Sequence, residues 1–454
     1  MSEKKKVGFV SLGCPKNLVD SEVMMGMLAG QGYELTPEAE LADVLVVNTC
    51  GFIDSARQES VDAILEMAQV KQAGKPKRLI VAGCLVERYR DDLQREIPEI
   101  DACIGVNELA EIKSVAAPEG RRTLPVYSES ASAPELYLYD ETTPRLRATA
   151  PYTSYVKIAE GCDHTCAFCI IPKLRGTFRS RSPESILREV EMLAAQGVKE
   201  FVLISQDTTT YGDDLSLKDG LARLVDSIAA VPGVEWVRVL YCYPTAITDE
   251  LLRVMAERPN VCKYFDIPLQ HASRRVLQRM RRGGGRQSYQ RLIERIRERV
   301  PGAAIRTTFI VGFPGEREED FEELVDFVRA IQFDRVGVFT YSDEENSPAF
   351  ELDEKVAPSI ARKRERRLMK VQAQISRRKN LRLVGTRQRV LLEGRSKESD
   401  LLLEGRMETQ APEIDGSIFI NDVPEGRDVR PGDFVTVEIT EAHEYDLIGC
   451  VIEI

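Results

Sequence analysis

Cys162, Cys166 and Cys169 form a C-x3-C-x2-C run, Cys162-Asp163-His164-Thr165-Cys166-Ala167-Phe168-Cys169, just after a strand-like segment. Thiolates at this spacing suit an iron–sulfur cluster, for which cysteine is the usual ligand. Three ligands on a short loop leave one iron of a 4Fe–4S cubane without a protein ligand. A chelating amino-carboxylate such as methionine's can take that position. Zinc is the competing occupant; it normally takes a fourth His or Cys, and His164 inside the loop is available for the role. A second set of three thiols is spread through the amino-terminal region. Cys14 follows the run 7–13, Cys50 follows 44–49 and Cys84 follows 79–83. Each falls just beyond the carboxyl end of a predicted strand, and in an open parallel sheet those ends converge on the ligand crevice. The other reading, buried apolar thiols, fits positions inside strands better, as for Cys103 in Asp101-Ala102-Cys103-Ile104. Cys242, Cys262 and Cys450 read as structural.

The elements that must position these cysteines fall into three modules, as a chain of 454 residues requires. Residues 5–117 alternate predicted strands at 7–12, 44–48 and 79–82 with helical patterns at 18–28, 55–68 and 87–95. That order predicts an α/β domain with a parallel sheet. Residues 118–147 form a polar linker, interrupted by Pro118, Pro125, Pro134 and Pro144. Residues 148–380 alternate again, with strands predicted at 155–159, 201–205, 236–241, 264–267, 305–311 and 335–339. Six β/α units predict a partial barrel whose site lies at the carboxyl ends of the strands. Residues 360–382, with ten Lys/Arg and one acid, read as a closing helix. Residues 384–454 read as a small all-β barrel, with strands at 386–393, 417–420, 433–440 and 446–454. This last module is acidic, with sixteen Asp/Glu against seven Lys/Arg.

Composition bounds the setting. Apolar content of 43% and charged content of 30% are those of a globular protein. No apolar run approaches the ~18 residues of a membrane span. The start, Met1-Ser2-Glu3-Lys4-Lys5-Lys6, lacks the apolar region of a secretory signal. A cytoplasmic location is therefore expected, where ten cysteines serve as metal ligands or buried thiols rather than disulfides.

With the aromatic Phe168 immediately before its third cysteine, the C-x3-C-x2-C run resembles the radical S-adenosylmethionine superfamily. The segment Ile310-Val311-Gly312-Phe313-Pro314-Gly315-Glu316 is similar to the adenine-contacting segment of that superfamily. The resemblance implies that S-adenosylmethionine binds the open iron. Phe168, Gln206, Gln270, Gly312 and Glu316 are the candidate cofactor-binding residues. The pairing of the two cysteine triads resembles the methylthiotransferase family over nearly the whole chain. Its members join a three-cysteine domain, a radical core and a β-barrel called TRAM. The stretch Ser11-Leu12-Gly13-Cys14-Pro15-Lys16-Asn17-Leu18-Val19-Asp20-Ser21-Glu22 is similar to the branch that modifies ribosomal protein S-twelve. Glu160-Gly161-Cys162, Arg175-Gly176 and Ser180-Arg181 fit the same branch.

This resemblance implies two 4Fe–4S clusters, a radical cluster on Cys162, Cys166 and Cys169 and an auxiliary one on Cys14, Cys50 and Cys84. It implies S-adenosylmethionine as both methyl donor and radical source, and 3-methylthioaspartate in S-twelve as product. A radical route suits the chemistry, because no acid–base pair here is placed to take a poorly acidic proton from carbon. The implied partners are S-twelve or the small ribosomal subunit, an external electron donor and a sulfur source, with no membrane. A transfer-RNA methylthiotransferase is the alternative enzyme, favoured by the basic segment and the RNA role of TRAM barrels. The acidic barrel speaks against it, since nucleic-acid surfaces are normally basic. A non-catalytic iron–sulfur protein is the alternative of another class. An exposed acidic face, for example Glu404, Glu408 and Glu413, is expected to dock the cationic ribosomal protein.

Overall fold

The computed structural model describes residues 4–74, 76–117 and 137–453. In the first module, β1 (Lys6–Ser11), β2 (Glu34–Leu35), β3 (Val44–Thr49), β4 (Arg78–Gly83) and β5 (Ala102–Ile104) form a parallel sheet in the order β2-β1-β3-β4-β5. β3 and β4 are buried along their whole length, as strands covered on both faces must be. Helices α1 (Pro15–Ala29), α2 (Asp54–Ala73), α3 (Cys84–Glu96) and α4 (Ile112–Val115) connect and follow them. α1 starts three residues before the pattern predicts, because Pro15 suits a first turn where no N–H is needed.

The second module opens with β6 (Thr153–Lys157) and the short pair β7 (Ala159–Glu160) and β8 (Arg179–Ser180), which flank α5 (Ile171–Arg175). β9 (Glu200–Ile204), β10 (Trp236–Val239), β11 (Tyr264–Asp266), β12 (Ala304–Val311) and β13 (Arg335–Thr340) follow, in two parallel sheets ordered β10-β9-β6 and β11-β12-β13. A parallel bridge between Val237 and Val261 joins the two into one open, six-stranded β/α barrel. Helices α6 (Pro183–Ala195), α7 (Gly220–Ala229), α8 (Asp249–Glu257), α9 (Arg274–Arg279), α10 (Arg286–Arg299) and α11 (Glu318–Ile331) alternate with the strands. Phe201, Leu203, Val237 and Val239 pack with the helices in one core. Val202, Ile204, Trp236 and Leu240 belong to a second core, shared with Val19 and Val23 of α1 and with Leu391 and Ala411 of the last module. The barrel interior is therefore completed by its two neighbours.

α12 (Pro358–Asn380) is the expected helix after the last barrel strand. Several of its cations are paired within the fold: Arg364 with Glu318, Arg367 with Glu322, and Lys379 with Asp334. Of the linker prolines, Pro118, Pro125 and Pro134 lie outside the described residues. The stretch 137–151 has no regular structure, yet Arg145 anchors it by reaching Glu22 of α1 and Glu189 of α6, each at 2.6 Å.

In the third module β14 (Arg387–Arg395), β15 (Leu403–Met407), β16 (Ile418–Asp422), β17 (Phe434–Ala442) and β18 (Leu447–Glu453) close a barrel in the order β14-β15-β16-β18-β17. β15 is absent from the sequence-based prediction. The module docks at the amino ends of the barrel strands. Phe434 meets Trp236 edge-on at 4.8 Å, Tyr264 donates to Asp415 at 2.6 Å, and Lys199 donates to the Gly432 carbonyl at 2.6 Å. The partial burial of Glu404 and Glu408 corrects the expected acidic face. Glu404 and Glu408 are half-buried, Ser417 donates to Glu404, the Glu408 carbonyl accepts from Arg238, and only Glu413 of the three is exposed. The exposed acids lie elsewhere, at Glu398, Asp400, Asp422, Glu425, Glu441 and Glu444 among others.

At the centre of that junction Glu200 is fully buried between Arg238 and Arg406. Burial would raise its pKa, but the two guanidinium groups outweigh burial and hold it below the usual carboxylate range. Removing one partner of a buried pair costs about 3–5 kcal/mol. Glu200→Ala should therefore lower the unfolding free energy by about that amount at pH 7, read by denaturant titration. Because the folded pKa lies below the unfolded one, the charge contribution is complete above about pH 5 and lost as pH falls through the folded value. The deficit of the variant should thus shrink in acid, and a deficit independent of pH would assign the loss to packing.

Candidate active site

All six cysteines of the two triads line one cavity of about 350 Å³ between the amino-terminal sheet and the carboxyl ends of the barrel strands. Cys14 caps α1, Cys84 is the first residue of α3, and Cys50 lies between β3 and α2. Helix amino ends carry positive potential, which favours thiolate over thiol. Gly13 makes the convergence possible. Its φ of +87° is left-handed, and a Cβ there would lie 2.8 Å from the Cys50 Cβ. On the barrel side the loop bearing the second triad is pinned at both ends. The Cys162 amide donates to the Gly176 carbonyl at 3.1 Å, and the Ile171 amide donates to Cys169 Sγ at 3.5 Å. Arg282 Nη1 lies 3.6 Å from Cys166 Sγ.

His164 is committed elsewhere. Its Nε2 lies 2.6 Å from Asp207 Oδ2, and its ring stacks on Tyr243 at 3.8 Å. Among the described residues, no three of His, Cys, Asp or Glu converge closely enough to share a single metal ion. A cubane places each thiolate on a different iron and does not require that convergence. None of the ten cysteines is in a disulfide.

Burial pushes Cys84 and Cys169 up to about 12 and Cys162 up to about 11, and it raises Cys50 as well. Cys14 moves the other way: burial raises it, but the charges of Lys16 and Arg175 and hydrogen bonds from the Asn17 and Lys16 amides together outweigh burial. Metal binding at Cys50, Cys84, Cys162 and Cys169 must therefore displace protons. Behind the cysteines a buried ion network joins α1 to the barrel. Arg175 donates to Asn17 Oδ1 at 2.6 Å and to Glu160 Oε2 at 2.9 Å, and Asp20 accepts from both Arg175 and Lys157. Glu160 is fully buried, which would raise its pKa, yet Arg175 and Lys157 hold it well below the usual range. Its other oxygen accepts from Gln206 Nε2 at 2.6 Å. The network thus runs from Asn17, whose Oδ1 is 3.8 Å from Cys84 Sγ, to a glutamine on the cavity wall.

Of the candidate cofactor residues, Phe168, Gln206 and Gln270 line the cavity. The Oε1 atoms of both glutamines are buried without a hydrogen-bond partner, and Gln270 has a left-handed φ of +70°. Gly312 and Glu316 lie outside that lining. Glu316 instead accepts from the Gly312 amide and sits 3.4 Å from His271 Nε2 and 3.3 Å from Arg364. Sequence reasoning missed Lys16, Arg175, Tyr241 and Tyr243 as parts of the wall, and it placed Cys242 among the structural thiols although it borders the cavity. Adjacency to Cys14 was the available signal for Lys16. The end of the third barrel strand was the signal for Tyr241 and Tyr243.

The model of the radical SAM superfamily matches residues 156–328, and that of the TRAM domain matches 384–452. A model described as uncharacterized protein family UPF0004 matches 6–105. The fold resembles the radical S-adenosylmethionine methyltransferase TsrM from Kitasatospora setae, with a TM-score of 0.53 and 14% identity over 74% of this chain and 72% of that one. Fold and site define a radical S-adenosylmethionine enzyme, a class that carries a 4Fe–4S cluster and S-adenosylmethionine. The ribosomal protein uS12 methylthiotransferase RimO of Koribacter versatilis is 51% identical, over 99% of this chain and 96% of its own. That of Solibacter usitatus is 55% identical over 98% and 95%. This chain belongs to the RimO family of methylthiotransferases.

Proposed function

We propose that this enzyme replaces a β C–H of an aspartyl residue in ribosomal protein uS12 with a methylthio group, giving 3-methylthioaspartate. The single observation that carries the reading is the shared cavity: two cysteine triads from two domains face one space. Cys162, Cys166 and Cys169 hold the radical cluster, and Cys14, Cys50 and Cys84 hold a second one that carries the sulfur to be transferred. The donor sets fit these groups, each being three thiols on the wall of one cavity and none paired in a disulfide. When bound, S-adenosylmethionine supplies a 5′-deoxyadenosyl radical for hydrogen abstraction and, as a further equivalent, the methyl group. Gln206 and Gln270 line the cavity and each leaves its carbonyl oxygen without a hydrogen-bond partner, which supports their contact with the polar part of that cofactor. Phe168 supplies apolar wall beside them. Gly312 and Glu316 shape the loop after β12 through their mutual hydrogen bond. Oriented side chains and excluded water are what the protein contributes to cofactor chemistry of this kind.

We assign residues 5–117 to the auxiliary-cluster domain, 148–380 to the radical core and 384–454 to the TRAM domain, with 118–147 as linker. The reaction needs an external electron donor and a sulfur source, and its setting is the cytoplasm, where uS12 or the small subunit is met. No helix among the described residues is long and apolar enough to cross a membrane. The test is reconstitution under anaerobic conditions with uS12, S-adenosylmethionine, a reductant and sulfide. Mass spectrometry should find one added methylthio group on a uS12 aspartate. Modification of transfer RNA with uS12 untouched would refute the assignment.

A further inference from the structure

Lys16 is a buried cation with no carboxylate partner among the described residues, and the acidic group whose field acts on it most is the Cys14 thiol. The lysine is 7% exposed and lines the cavity two residues after Cys14, and its ammonium makes no ion pair or hydrogen bond among the described residues. Its ammonium nitrogen lies over the Tyr241 ring, 3.3 Å from the centroid. The other cavity cations are engaged. Arg175 is held by Asp20 and Glu160, and Arg282 donates to the Pro268 carbonyl at 2.9 Å. The carboxylates whose field reaches Lys16 are also taken, Glu160 by Lys157 and Arg175 and Asp266 by Arg306 at 2.7 Å. A buried ammonium lying on an aromatic face leaves hydrogen-bonding capacity for a carboxylate unused, and burying a charge without such bonds is costly.

We propose that Lys16 receives the side-chain carboxylate of the acceptor aspartate and so selects an anionic residue for methylthiolation. The proposal rests on the function proposed above, which puts an aspartyl side chain in this cavity. The acceptor's β-carbon is bonded directly to that carboxylate carbon. A cation gripping the carboxylate therefore fixes the carbon that reacts, on the side of the cavity nearest the Cys14 triad. The neutral asparagine analogue offers the same shape without the charge. Losing one charge-assisted hydrogen bond to a buried cation corresponds to roughly 10- to 100-fold in affinity.

The test measures binding of intact uS12 to the reconstituted holoenzyme with S-adenosylmethionine present, using uS12 with Asp or with Asn at the acceptor position. Wild type should favour the Asp form by roughly 10- to 100-fold. Lys16→Met should bind both forms about equally, and Lys16→Arg should restore the preference. The ratio is taken within each variant, so a general loss of affinity does not imitate the effect. Should Lys16→Met fail to fold, Lys16→Gln carries the same comparison. An unchanged Asp preference in the Met or Gln variant overturns the proposal, as does a wild type indifferent to the charge. An unchanged preference together with weaker S-adenosylmethionine binding would give Lys16 to the cofactor's carboxylate instead. A wild type that neither binds nor modifies uS12 refutes the proposed function itself.

Discussion

Replacing Cys14, Cys50 and Cys84 together with alanine should abolish methylthio transfer to uS12 while 5′-deoxyadenosine is still released from S-adenosylmethionine. Replacing Cys162, Cys166 and Cys169 should abolish both. The asymmetry follows from position. The second triad sits on the barrel loop with its own anchors, the Cys162–Gly176 hydrogen bond and the Ile171 amide, neither of which involves the amino-terminal sheet. The first triad is built on β1, β3 and β4 turns and reaches the cavity only because the two domains abut. Two cubanes would hold about eight irons, so each triple variant should retain about four. Loss of all iron from a folded variant of either set would refute independent clusters. Methylthio transfer without the amino-terminal cysteines would refute their role as the sulfur-carrying site.

Arg175→Met should have the second-largest effect, on the junction between those domains. The guanidinium is fully buried and contacts Asn17, Asp20 and Glu160 at once. Lys157 remains to balance one carboxylate, but Asp20 and Glu160 would then share it. Leaving a buried charge uncompensated costs about 3–5 kcal/mol. Thermal unfolding should fall by several degrees or separate into two transitions, the amino-terminal domain melting first. Release of 5′-deoxyadenosine should persist with methylthio transfer strongly reduced, because the two triads lose their fixed separation. A single transition at the wild-type temperature would show that apolar contacts, such as Val19 and Val23 against the barrel interior, suffice to hold the domains.

What could be read in advance was local. The cysteine spacing, the strand-then-cysteine repetition and the β/α alternation each lie within a few dozen residues, and the structure places all six thiols on one cavity. The ion network could not be read, since Asn17 and Arg175 are 158 positions apart and follow no periodic pattern. β15 escaped because Gly405 interrupts its pattern. That glycine is required there, for a Cβ would meet the Leu391 carbonyl oxygen at 2.7 Å. Glu404 and Glu408 were misread for a related reason. Glu404 accepts from Ser417 of its own barrel, and the backbone carbonyl of Glu408 accepts from Arg238 of a domain distant in sequence, so both positions are half-buried. The Lys16 ammonium was hidden in the same way, its burial being created by Tyr241 of another domain.

The barrel also acts as a ruler. The acidic module grips the amino ends of its strands at Lys199, Trp236 and Tyr264, while Gln206, Tyr243 and Gln270 face the cavity from the carboxyl ends. From Glu200 to Gln206 an extended strand covers roughly 20 Å at ~3.3 Å per residue. A partner touching both ends must reach around a wall of that height. An extended peptide needs at least about six residues for that span alone. Assays on short acceptor peptides will accordingly report on the cavity only and be insensitive to ionic strength at the distal acids. Intact uS12, or the subunit that carries it, is long enough to feel both ends, and salt should slow its capture first.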